Sequence, residues 1–140
     1  MRLAVVATDD LPTCVGLRRS VFIEELGVPE HIEQDGRDED AHHLIAFRND
    51  VPVGTARMLV EGRTGKIGRV CVLSEFRGNG TGAALMNACI DHLKGIGMSK
   101  AVLGALVTEI EFYKALGFTP FGTEFDDAGG LPHINMERML

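Results

Sequence analysis

The segment Val70-Cys71-Val72-Leu73-Ser74-Glu75-Phe76-Arg77-Gly78-Asn79-Gly80-Thr81-Gly82 carries the residues best suited to hold a ligand. An apolar strand-like run leads into alternating glycines, and these lead into a stretch of helical period. Glycines let successive backbone N–H groups approach an anion without a side chain in the way. The unpaired amides and positive dipole end of the following helix add to that cradle. Such a loop suits a pyrophosphate. The spacing Gly78-x-Gly80-x-x-Ala83 also meets the relaxed dinucleotide fingerprint. Yet the next strand, Ala101 to Leu106, has no acidic residue for a ribose, and an antiparallel meander precedes the loop where a Rossmann fold needs βαβ units. No Gly-Lys-Ser/Thr follows Gly80, so the loop is not a Walker A motif. On glycine content alone, a plain tight turn before a helix stays open beside the anion site.

Cysteine is the next reactive type. Cys14, Cys71 and Cys89 are odd in number and form no C-x-x-C pair, which argues for reduced thiols in a cytoplasmic protein and for neither a disulfide framework nor a zinc site. Cys71 lies in the strand before the glycine loop, where a reactive thiol would suggest a covalent intermediate. An unactivated cysteine in a strand is an inert small hydrophobe instead. The run from Glu30 to Asp40 is strongly acidic and reads as a solvated loop with room for a short helix; the sharper reading is a flap that lines a substrate mouth and favours cations.

These groups need elements to position them. Leu3 to Ala7 is a short apolar run, read as the first strand. Asp9 or Asp10 caps a helix with Pro12 in its first turn, along which Val15, Arg18, Phe22 and Leu26 recur until Gly27 and Pro29 end it. Strands follow at His43 to Phe47, Val51 to Val60 and Lys66 to Leu73. Pro52 and Gly54 weaken the second of these, which is expected to bend or start late. From Thr81 to Ile96 the period becomes helical, with Leu85, Met86, Cys89, Ile90 and Leu93 on one face. Ala101 to Leu106 is a strand, Thr108 to Leu116 a helix, and Phe118 to Phe125 and Ile134 to Leu140 are closing strands. The 140 residues, 45% hydrophobic and 24% charged, form one α/β unit with a mixed sheet, a single domain over 1–140. A net charge of −6 without a basic stripe excludes nucleic acid as a partner. The apolar N-terminal run is too short for a signal peptide, and no membrane-length run follows, so no membrane partner is expected.

Arg77-Gly78-Asn79-Gly80-Thr81-Gly82 resembles the R/Q-x-x-G-x-G/A signature of the GNAT superfamily of N-acetyltransferases. Further on, Phe112-Tyr113-Lys114-Ala115-Leu116-Gly117-Phe118 resembles that family's F-Y-x-x-x-G-F signature, in the same order and with one helix and one strand between. The likeness covers nearly the whole chain. Leu17 to Pro29 and Phe125 to Met136 are similar to a small stand-alone bacterial branch often called YjcF-like. One departure stands out: that branch often has Ala-Gln at the end of the strand before the tyrosine helix, and here the pair is Ala105-Leu106.

The resemblance implies a GNAT-like acyl-CoA N-acyltransferase fold: antiparallel N-terminal strands, splayed central strands and helices on both faces. It implies acetyl-CoA as cofactor, with Val70, Cys71 and Val72 offering backbone to the pantetheine. It implies that Arg77, Gly78, Asn79, Gly80, Thr81, Gly82 and Ala83 hold the pyrophosphate, mainly through backbone N–H groups. A backbone N–H near Val72 would polarise the thioester carbonyl. Tyr113, the one tyrosine of the chain, would be the general acid. His133, beside Pro132 where the branch carries its Pro-His pair, would be the base, since imidazole accepts protons near neutral pH. His42, His43, Glu109, Glu111 and a water chain are weaker alternatives. The reaction implied is transfer of acetyl to a primary amine of an unidentified small molecule by direct attack, in a protein compatible with a homodimer. The alternative is a CoA-binding sensor that keeps the fold without catalysis.

Overall fold

The computed structural model describes residues 2–140. Seven strands form one mixed sheet in the order β1-β2-β3-β4-β5-β7-β6. β1 (Leu3–Thr8), β2 (His42–Arg48), β3 (Val51–Glu61) and β4 (Thr64–Val72) are the antiparallel meander read from the sequence. β5 (Lys100–Leu106) runs parallel to β4, and β7 (Leu131–Met139) lies between β5 and the edge strand β6 (Thr119–Asp127), antiparallel to both. β7 starts earlier than its sequence pattern suggested, so His133 sits inside a strand, opposite Leu106 on one side and Phe125 on the other.

Residue alternation along β2 sends side chains to two cores. Leu44 and Ala46 join Leu85, Met86, Cys89, Ile90 and Leu93 of α3 (Thr81–Gly95), all five of the apolar positions read from the period. Ile45, pointing the other way, packs with Leu17, Val21 and Cys71 under α1 (Leu11–Arg18) and its continuation. Helices therefore cover both faces. Asp10 caps α1, its carboxylate accepting the Thr13 N–H at 3.3 Å. Past Arg18 the helix widens into π-turns over Arg19–Glu25, a change the spacing of apolar residues did not reveal.

The acidic run is more ordered than a solvated loop. It holds a short helix, α2 (Glu30–Glu33), and a 3₁₀ turn at Asp38–Asp40. Gly54 in β3 also acts differently from a strand weakener. A Cβ there would come within 2.7 Å of the Cys71 carbonyl and 3.0 Å of Leu85, so glycine permits close packing of β4 and α3 on β3. α4 (Ile110–Ala115), preceded by a 3₁₀ turn at Val107–Glu109, packs against β5 and β6.

Candidate active site

β4 and β5 pair only through Thr64–Lys66 and Lys100–Val102, and beyond these residues the strands diverge. The cause lies in β4. Between Thr55 and Arg57 the β3–β4 register shifts, and Arg69 sits at φ +53°, a bulge that turns the strand away from β5. The wedge opens into a cleft of about 1610 Å³, lined by Val70–Val72, the glycine loop, Tyr113 and His133.

At the end of β4 a 3₁₀ turn, Ser74–Phe76, leads to the loop. Gly78 and Gly80 take φ of +79° and +89°, where a Cβ is strained, though it would meet nothing within 4 Å. Their requirement is backbone conformation, and the space beside them is open. Gly80 is the N-cap of α3 and provides no side-chain cap, so the first amides of the helix are left to another partner. Asn79 and Thr81 turn their side chains elsewhere: the Thr81 hydroxyl accepts from Arg48 at 2.9 Å and donates to Asn79 Oδ1 at 2.9 Å. What this loop presents is main chain.

Arg77 is committed as well. Its Nε donates to the Val72 carbonyl at 2.8 Å, and its two terminal nitrogens grip the Glu25 carboxylate at 2.6 and 2.7 Å. Glu25 comes from the end of the π-turns and was not singled out in the sequence. A separation of 52 residues hides the pair from any local pattern.

Phe112 and Tyr113 close the other side. A Cβ at Gly82 would lie 3.6 Å from the Phe112 ring, which seats α4 against the start of α3. Tyr113 packs edge-on to Phe112 and Phe118 at 5.0 and 6.2 Å. Its hydroxyl has no hydrogen-bond partner among the described residues. Burial, reinforced by the charge of Glu109, pushes its phenol up to about 12.

His133 is buried and stacks on Phe125 at 5.9 Å. Its Nδ1 lies 2.8 Å from the Leu131 carbonyl. A carbonyl only accepts, so Nδ1 carries the proton and the Nε2 lone pair is left available. The two alternative histidines, His42 and His43, are placed differently. His43 Nε2 donates to the Asp38 carbonyl at 2.8 Å, which leaves its Nδ1 unpartnered among the described residues but buried away from solvent, and His42 bonds His92 of α3 at 3.1 Å. Glu111 is solvent-exposed beside Lys114, whereas Glu109 reaches the cleft. Cys71 is buried, and that burial pushes its thiol up to about 12, which leaves it without nucleophilic character at neutral pH.

The acidic segment forms one wall of the cleft, but three of its carboxylates are matched. Glu33, Asp35 and Asp38 pair with Arg18, Arg57 and Arg69 at 2.8–3.3 Å. A mouth that attracts cations through these three carboxylates does not exist. Among the described residues, no helix is long and apolar enough to cross a membrane.

Known proteins share this geometry. The acetyltransferase (GNAT) domain model matches residues 10–140. YjcF of Bacillus subtilis (strain 168), an uncharacterized N-acetyltransferase, is 32% identical over 138 residues, covering 96% of this chain and 98% of its own length. The crystal structure of Escherichia coli ElaA superposes with a TM-score of 0.86 at 28% identity, covering 98% of this chain and 99% of that one. An aminoglycoside 6'-N-acetyltransferase complexed with coenzyme A shares the fold at a TM-score of 0.78 and 17% identity, covering 97% and 96%. A family match over nearly the whole chain, on a sheet split between β4 and β5, makes this protein a member of the GNAT acetyltransferase family and an acyl-CoA-dependent N-acetyltransferase.

Proposed function

We propose that the enzyme moves an acetyl group from acetyl-CoA to a primary amine by direct attack, with Tyr113 as general acid and His133 as general base. The observation that carries the reading is convergence: the diverging edge of β4, the glycine loop, Tyr113 and His133 all border one cleft. The loop fits a pyrophosphate because Gly80 leaves the first amides of α3 without a side-chain cap, and the space beside Gly78 and Gly80 is open. The coenzyme A in the aminoglycoside acetyltransferase of the same fold supports the choice of cofactor.

Bound acetyl-CoA supplies an activated thioester. The chain supplies the rest. The edge of Val70, Cys71 and Val72 pairs with the extended pantetheine as an added strand would. The loop from Arg77 to Ala83 holds the phosphates with backbone N–H groups, while the Arg77 side chain keeps the loop in place through Glu25. An amide near Val72 stabilises charge on the carbonyl oxygen. His133 Nε2 takes the proton that the attacking amine must lose, and its Nδ1–H, tied to Leu131, keeps that lone pair available. Tyr113, protonated across the neutral range, donates its O–H hydrogen bond to the negative charge that develops on the departing sulfur. In this reading residues 1–140 are one N-acetyltransferase domain acting on a small-molecule amine, and its buried free thiols suit a reducing cytoplasm.

The test is thermal unfolding with and without acetyl-CoA, with NAD and ATP as controls. At ~100 times its dissociation constant a ligand adds ~2.7 kcal/mol, enough to raise the melting temperature of such a domain by several degrees. A rise with acetyl-CoA alone is expected. No rise with acetyl-CoA sinks the reading.

A further inference from the structure

Three arginines and three carboxylates beside the cleft close into a ring. Arg18 binds Glu33 at 2.8 Å, Glu33 binds Arg69 at 2.9 Å, and Arg69 reaches Asp35 at 3.3 Å. Asp35 binds Arg57 at 2.8 Å, Arg57 binds Asp38 at 3.1 Å, and Asp38 returns to Arg18 at 2.8 Å. Charges alternate around the ring and cancel. Four parts of the chain meet in it: the end of α1, the acidic segment, β3 and the bulge of β4. The Arg18 and Glu33 side chains are each only 1% exposed, so the ring reaches into the interior and is more than a surface ion pair.

Arg69 is the member that links this ring to the cofactor strand. Its φ of +53° is one that a residue with a side chain holds only when its surroundings over-determine it. Here they do. Its guanidinium donates to Glu33 Oε2 at 2.9 Å, and to Asp35 and the carbonyls of Ile32 and Glu33 at 3.3 Å each. The next residue along the chain is Val70, the first of the three residues read as the cofactor edge of β4, and Arg69 and Val70–Val72 all line the cleft. We propose that the ring sets the β4 bulge, and that Arg69 is a positioning residue acting through the backbone of Val70–Val72 on the binding of acetyl-CoA. The inference rests on the reading of β4 as the cofactor strand. Glu33, Asp35 and Asp38 thereby become parts of a fixed wall that serve the strand and are not offered to a cationic substrate.

The experiment is calorimetric titration of acetyl-CoA into the wild-type chain and four variants, each checked for folding by circular dichroism. Arg69→Lys keeps the charge and loses the fork; Arg69→Gly suits the left-handed backbone and loses the guanidinium. Both are expected to bind acetyl-CoA about fivefold more weakly or worse, the scale of one weakened hydrogen bond. Asp35→Asn, at the outer side of the ring, is expected to weaken binding less. Glu30→Gln lies on the same segment but pairs with Arg19 outside the ring, and it is expected to bind as the wild type does. Wild-type affinity in both folded Arg69 variants overturns the proposal, as does an equal loss in Glu30→Gln. Should the Arg69 variants fail to fold, Asp35→Asn decides: weaker binding supports the ring, unchanged binding overturns it. A wild-type chain that binds no acetyl-CoA overturns the cofactor reading itself, a separate failure seen in a separate titration.

Discussion

A phenol pushed up to about 12 remains protonated throughout the neutral range, but it is a weaker acid than an ordinary thiol at ~8.5. Full transfer from Tyr113 to a departing sulfur is therefore uphill, and donation of a hydrogen bond to developing negative charge is the larger part of its effect. Such a bond to a charged group contributes ~1.5–3 kcal/mol, so Tyr113→Phe should lower kcat ~10–100-fold. Its melting temperature should hardly move, since the hydroxyl has no partner among the described residues and the ring keeps its contacts with Phe112 and Phe118. The same high value predicts that kcat shows no alkaline loss from this tyrosine below pH ~10; a limb near that pH, absent in Tyr113→Phe, would contradict it. His133 makes a different demand. His133→Ala should cost ~10²-fold in kcat, with part restored by added imidazole, if Nε2 takes the proton; no rescue and an unchanged rate would assign His133 to packing against Phe125 alone. Both residues stand out in the sequence as candidates, because each lies in a run that resembles a family motif. Glu25, Arg57 and Arg69 do not. Their partners lie 19 to 52 residues away in sequence, and local charge counting saw an acidic run without the arginines that neutralise it.

Elements were read well where one period dominates and less well where backbone geometry departs from it. The face of α3 followed from its spacing, and so did the meander. The π-turns over Arg19–Glu25 did not, because Val15, Phe22 and Leu26 recur at intervals that also suit an α-helix. The bulge at Arg69 was hidden for a related reason: no residue type reserves a left-handed position for arginine, and only the guanidinium partners explain it. Within the glycine loop, geometry separates glycines that sequence treats alike. Gly80 sits at φ +89°, so Gly80→Ala should lower stability by ~1–2 kcal/mol and weaken acetyl-CoA even though its Cβ enters open space. Gly82 lies inside α3 with helical backbone, and a Cβ would touch Phe112 at an ordinary 3.6 Å. Gly82→Ala should leave the melting temperature unchanged or raise it, since alanine favours a helix by ~1 kcal/mol. Thermal unfolding of the two variants side by side checks the distinction. Equal losses would mean that the loop is held by crowding and not by its dihedral angles.

For the whole molecule, the formal charge of −6 describes the surface and says little about the wall of the cleft. There the ring brings three positive and three negative groups together, and its stability depends on pH with a definite sign. Burial alone would raise the Asp38 carboxyl, but Arg18 and Arg57 outweigh it and hold the group below the usual carboxylate range. The hydrogen bond from Arg57 does the same for Asp35, against the effect of burial, with help from the Arg37 N–H and from Arg69. A carboxyl whose folded pKa is depressed stabilises the fold above its unfolded value, near ~3.9, and loses that contribution as pH falls through the folded one. Melting temperature should thus be insensitive to these groups from pH 5 to 8 and drop steeply below pH ~4. Asp38→Asn separates this account from general acid unfolding. Removing one partner of a largely buried charge pair costs ~3 kcal/mol, so the variant should melt several degrees lower at neutral pH. It also removes one of the protons taken up on unfolding in acid, so its curve below pH ~4 should be shallower than that of the wild type. A parallel offset, with the acid slope unchanged, would show that Asp38 packs the wall without titrating against it. Convergence of the two curves in acid would mean that the charge of Asp38, matched to Arg18 and Arg57, is what the fold loses there.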